Sequence, residues 1–97
     1  MSVDARREFG FLLRRLQEGE NLSLPHSRPM TSIGKACHEL RVTDKTKTWR
    51  LFYLLEPDAI VILEVTEKKT PQTPRATIDT CKKRYKSYED HKKSRKN

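Results

Sequence analysis

The sequence predicts an α+β fold: a small antiparallel three-stranded sheet packed by an N-terminal and a C-terminal helix. Three observations predict it. Residues 37–66 hold three β-rich runs separated by short polar turns. An N-terminal stretch carries apolar residues at helical spacing, and a C-terminal stretch does so again behind a proline. Ninety-seven residues suffice for one domain with one modest core. The reading is a single domain over residues 1–89 and a basic disordered tail over 90–97.

Ser2 or Asp4 caps a first helix running to about Glu18, with Gly19 as its terminator. Phe9, Leu12, Leu13 and Leu16 recur at i, i+3, i+4 and i+7 and form its apolar stripe. Arg6, Arg7, Arg14 and Arg15 lie largely off that stripe and read as a solvated outer face. Residues 20–36 read as loop, because Pro25 and Pro29 forbid a helix there. His26 in this loop is isolated and reads as a loop hydrogen-bonding group.

The first strand, Cys37–Val42, alternates, with His38, Leu40 and Val42 on one face and Cys37, Glu39 and Arg41 on the other. Thr48–Leu55 forms the second strand and Ala59–Thr66 the third. A loop at Asp44–Lys47 pairs Leu40 with Leu51, Val42 with Trp49 and Arg41 with Arg50. Closing the next hairpin at Leu55 and Ala59 sets Glu64 beside Arg50 and Leu63 beside Leu51. One face is then apolar (Leu40, Val42, Trp49, Leu51, Leu63, Val65). The other is apolar at one end (Phe52, Leu54, Ile60, Ile62) and charged at the other (Glu39, Arg41, Arg50, Glu64). Lys68 and Lys69 leave the third strand at the charged end. Two arginines and two lysines on one sheet rim suit a phosphate backbone. The competing reading is an ordinary cross-strand ion-pair lattice on a solvated face. Beyond the sheet, Thr73 is the N-cap and Pro74 the first residue of a helix reaching about Tyr88, with Ile78, Cys81 and Tyr85 turned inward.

The formal net charge is +8 and the isoelectric point about 9.8, which favours a polyanionic partner. Residues 82–97 carry eight Lys or Arg against two acids. The chain shows no Gly-rich phosphate loop, no paired metal-ligand spacing and no local Ser/His/Asp arrangement, so neither metal nor cofactor is expected. Cys37 and His38 are strand neighbours and point apart. With two cysteines, which read as buried free thiols, and no long apolar run, the expectation is a cytoplasmic protein outside the membrane.

LPHSRPM, HELRV, WRLFY and EVTEKKTPQTP, followed by a helix ending KKRYKSY, resemble bacterial toxins of the RelE/HigB type, in particular their phage-derived branch. The resemblance spans about residues 9–88. It implies a RelE-like sheet packed by helices, endonuclease action on mRNA at the translating ribosome, and control by a cognate helix-turn-helix antitoxin. Such toxins usually place an extra strand before the first helix; without it, a sheet edge is expected to lie uncovered. An aromatic residue commonly precedes the Glu67-Lys68-Lys69 run, where this sequence has Thr66.

The implied reaction needs a base, stabilisation of the phosphorane charge and an acid for the leaving oxygen. Arg41, Arg50 and one of the lysines supply the stabilisation. Lys68 or Lys69 serves as base, with Glu67 or Glu64 as the rival. Arg28 and the helix residues Lys82, Lys83, Arg84 and Lys86 are expected to contact RNA. Two alternatives belong to other classes: a ParE-like inhibitor of DNA gyrase, and a basic RNA- or ribosome-binding module without catalysis.

Overall fold

The computed structural model describes residues 1–22 and 26–94. Along the chain run six elements: α1 (Val3–Gln17), β1 (Ser27–Pro29), β2 (Cys37–Asp44), β3 (Lys47–Leu55), β4 (Ile60–Lys68) and α2 (Arg75–Ser94). The strands form one antiparallel sheet in the order β1-β2-β3-β4, with α1 on one face and α2 on the other. The class is the expected α+β, but the sheet has four strands where the sequence suggested three.

Helix α1 starts and stops where its end residues dictate. The Ser2 hydroxyl accepts from the Ala5 amide at 3.0 Å. At the far end Gly19 takes φ +89°, its amide donates to the Leu16 carbonyl, and the Glu20 amide donates to Arg15. That pair of bonds satisfies two carbonyls the last turn would leave open. Ala5, Phe9, Leu12 and Leu16 are buried against Leu40, Val42, Leu51 and Tyr53. Burying a large apolar side chain contributes about 1.5–3 kcal/mol, so this stripe holds α1 to the sheet.

The strand that sequence reading missed is β1. Ser27, Arg28 and Pro29 pair with Leu40, Glu39 and His38, and the Arg41 amide donates to the His26 carbonyl at 2.9 Å. Residues 20–36 are therefore not all loop, and β1 covers the outer edge of β2 over residues 38–40. Three residues ending in proline carry no alternating pattern by which to recognise a strand. Pro25, read as barring a helix, lies outside the described residues.

The β2–β3 register is the expected one: Leu40 faces Leu51, Arg41 faces Arg50 and Val42 faces Trp49. The β3–β4 register is not. Leu55 pairs with Ile60, one residue beyond the expected Ala59, and a bulge at Phe52/Tyr53 adds a second residue. Each one-residue slip moves the side chains beyond it to the opposite face. Ile60 and Ile62 thus turn to the α1 side, where Ile60 packs against the core and Ile62 is exposed. Leu63 turns to the α2 side, into a cluster with Phe52, Leu54 and Cys81. Glu64 returns to its expected face but sits opposite Phe52, while Arg50 faces Thr66.

Helix α2 packs on that second cluster through Ile78, Cys81, Tyr85 and Tyr88. Arg84 anchors it to the bulge, donating to the Leu63 carbonyl at 2.7 Å and pairing with Glu64 at 3.2 Å. Its start differs from expectation: the Pro74 carbonyl accepts from Thr77 and Ile78, while the buried Thr73 hydroxyl has no partner. Its end also differs, because the helix continues past Tyr88 to Ser94, where Lys92 pairs with Glu56 of the β3–β4 turn at 3.2 Å. The first residues of the expected tail are helical; residues 95–97 lie outside the described residues.

Candidate functional site

Glu39 is the residue around which the charged end of the sheet is arranged. It is 0% exposed. Three guanidinium groups surround it: Arg28 Nε at 3.2 Å and Arg41 Nε at 3.3 Å from Oε1, and Arg50 Nε at 3.3 Å from Oε2. Strand pairing explains the gathering. Arg28 faces Glu39 across β1–β2, Arg41 is two residues along β2, and Arg50 faces Arg41 from β3. Neither carboxylate oxygen receives a linear side-chain hydrogen bond, so the cluster is held by charge attraction. One carboxylate against three guanidinium groups leaves a surplus of two positive charges. A reading from sequence puts a strand glutamate at the surface, and only the coverage by β1 and the three arginines explains its burial.

The three arginines differ in access. The Arg28 and Arg41 side chains are 35% and 30% exposed, and Arg50 as a residue is 1% exposed. Beyond Glu39, Arg50 donates to the carbonyls of Pro71 at 3.0 Å, Thr70 at 3.3 Å and Gln72 at 3.4 Å. Burial pushes its pKa down, the Glu39 charge pushes it up, and Arg28 and Arg41 push it down again. Arg50, expected among the groups that touch the phosphate, is thus enclosed between Glu39 and the 70–72 turn. Its fork fixes the segment just after the lysine pair.

Lys68 shares the arginine face. It pairs with Thr48, two residues from Arg50, and side chains two apart on a strand point the same way. Lys68 and Arg41 line one open cavity of about 620 Å³, together with His26, Thr43, Thr48 and the acids Asp4, Glu8 and Asp44. Lys69 lies just past the strand and lines a neighbouring hollow with Lys68 and Thr70. Glu67, the rival base, is on the other face. It pairs with Trp49 and meets Lys47 at 3.5 Å, because the pleat turns it away from Lys68.

The helical cations do not join this cluster. Arg84 is committed to Leu63 and Glu64, and Lys86 pairs with Asp90 at 3.6 Å. Lys82 and Lys83 are exposed on α2. His26, set aside by sequence reading, is a wall of the Arg41–Lys68 cavity. No local motif announces it, since β1 pairing is what carries it there. Among the described residues no group of three His, Cys, Asp or Glu side chains gathers as a metal site would require, and no helix is long and apolar enough to cross a membrane.

The site is thus a cluster of three arginines around one buried glutamate at one end of an α+β sheet, with Arg41 and Lys68 on an open cavity. The family model described as Phage derived protein Gp49-like (DUF891) matches residues 1–86, and the chain belongs to that family, one of toxin-like proteins of toxin–antitoxin systems. Neither a curated protein nor a solved structure matches it.

Proposed function

We propose that this chain is the toxin of a type II toxin–antitoxin pair, a ribosome-dependent mRNA endonuclease of the RelE/HigB kind. The observation that carries the reading is the Glu39-centred arginine cluster with its surplus of two positive charges, whose Arg41 shares an open cavity with Lys68. Family membership supports the toxin class. In this reading the RNA 2′-hydroxyl attacks the adjacent phosphorus, the new O2′–P bond forms and the P–O5′ bond breaks. Lys68 takes the hydroxyl proton, and Arg41 and Arg28 stabilise the charge on the phosphorane oxygens. His26, which lines the same cavity, takes the acid role and protonates the departing 5′ oxygen. The substrate is mRNA on a translating ribosome in the cytoplasm, and a helix-turn-helix antitoxin encoded beside the chain holds it in check.

The test is the purified chain added to a bacterial translation extract, with cut sites mapped by primer extension. Message cut only within translated regions is the expected result, with Arg41→Ala and Lys68→Ala each lowering the rate at least 10²-fold while the protein stays folded. Intact message with ribosome co-sedimentation would make the chain a non-catalytic binding module. Blocked DNA supercoiling with intact message would make it a gyrase poison.

A further inference from the structure

We infer that Glu39 is the positioning residue of this site, aiming the Arg28 and Arg41 guanidinium groups at a single phosphodiester; the inference rests on the reading of the cleft as an RNA site. Both Nε atoms meet the same oxygen, Oε1, at 3.2 and 3.3 Å. A guanidinium offers five N–H donors in a planar fork. Charge draws the Nε end of each guanidinium to Oε1 without a hydrogen bond, and no Nη group hydrogen-bonds to the carboxylate. The Arg28 and Arg41 side chains are about one third exposed, so their N–H donors remain accessible to a ligand. The second carboxylate oxygen is held by Arg50, which is itself fixed to the 70–72 turn. Glu39 is therefore attracted on its second oxygen to a cation anchored outside the Arg28–Arg41 pair.

Sequestered from water, Glu39 does not touch substrate. It works through the two arginines. Its charge opposes RNA binding while its geometry favours the reaction, so neutralising it should move affinity and rate in opposite directions. A purely structural glutamate would lower both together, in proportion to the folded fraction.

The experiment is single-turnover cleavage of ribosome-bound message by the full chain, comparing Glu39→Gln and Glu39→Asp. It is paired with fluorescence-anisotropy binding of a short RNA oligonucleotide and a thermal melt. For Glu39→Gln the expected result is RNA binding at least as tight as the parent, with kcat lower by about 10²-fold, the scale of loss from small misplacement of a catalytic group. Glu39→Asp keeps the charge and withdraws it by one methylene; its binding should match the parent while kcat falls about tenfold. If Glu39→Gln does not fold, Glu39→Asp decides alone. Equal losses of binding and rate, or a rate within twofold of the parent in a folded variant, overturn the inference. If the parent cuts no message, the endonuclease reading fails. The binding arm then decides the inference by itself: positioning requires Arg41→Ala to weaken RNA binding less in the Glu39→Gln background than in the parent, and equal losses in the two backgrounds overturn it.

Discussion

Replacing Arg50 with methionine separates a structural arginine from a catalytic one. The side chain is buried, its Nε lies 3.3 Å from Glu39, and its fork reaches three consecutive carbonyls at 3.0–3.4 Å. Removing one partner of a buried ion pair costs about 3–5 kcal/mol. Glu39 keeps Arg28 and Arg41, and the exposed 70–72 carbonyls regain water, so the lower end, about 3 kcal/mol, is expected. A domain of this kind is stable by only about 5–15 kcal/mol. With a urea dependence of about 1–3 kcal/mol/M, the unfolding midpoint should fall by about 1–3 M, readable from Trp49 fluorescence. Arg50→Lys restores the charge without the fork and should fall between. A midpoint unchanged within a few tenths of a molar, together with abolished RNA cleavage, would refute the argument and return Arg50 to the group that touches substrate.

Glu67→Gln should leave the cleavage rate unchanged in the translation extract and cost under about 1 kcal/mol from the lost Lys47 contact, since that face is turned from Lys68. Gly34→Ala would set a Cβ 2.6 Å from Tyr85 Cε2 and 3.2 Å from Cys37 Sγ. Overpacking of about 1–3 kcal/mol is expected, seen as a lower melting temperature. Burial raises the Cys37 and Cys81 thiols from 9.0 to about 11. The neutral thiol is favoured in the folded state, so their contribution is complete below pH 9 and fades as pH climbs through 11. Urea titrations across that window should show a steeper loss in the parent than in Cys37→Ala/Cys81→Ala. Arg84→Ala should speed hydrogen exchange around Leu63, because the bulge loses the donor to its carbonyl.

The two helices and the first hairpin were legible because their signals are local. Leu12 and Leu16 mark a stripe, Gly19 marks its end, and a short loop fixes which residue faces which. The second hairpin was not, because a bulge is a tertiary accommodation. Leu63 joins Phe52 and Cys81 beneath α2, and nothing in AIVILEV says where the extra residue goes. Part of the layout was legible. The Arg41–Arg50 pairing followed from the first hairpin's register, and Lys68 followed from its place at the strand end. Glu67 was misplaced by ignoring the parity of side chains along the strand, and Arg50 was taken for a surface group because the 70–72 turn that roofs it is irregular. Glu39 and His26 depended on β1, which three residues of sequence do not announce.

The shape of the sheet's two rims has its own consequence. On one side β1 offers three residues, and its proline lacks an amide to give. On the other, β4 runs nine residues, with side chains on part of its backbone: Arg84 donates to the Leu63 carbonyl, and the Val65 amide donates to Glu64 Oε1. Endless stacking of copies needs two receptive rims per molecule, and here one is short and ends in proline while the other is partly capped by its own side chains. The fold thus blunts both ends of the sheet against edge-to-edge growth.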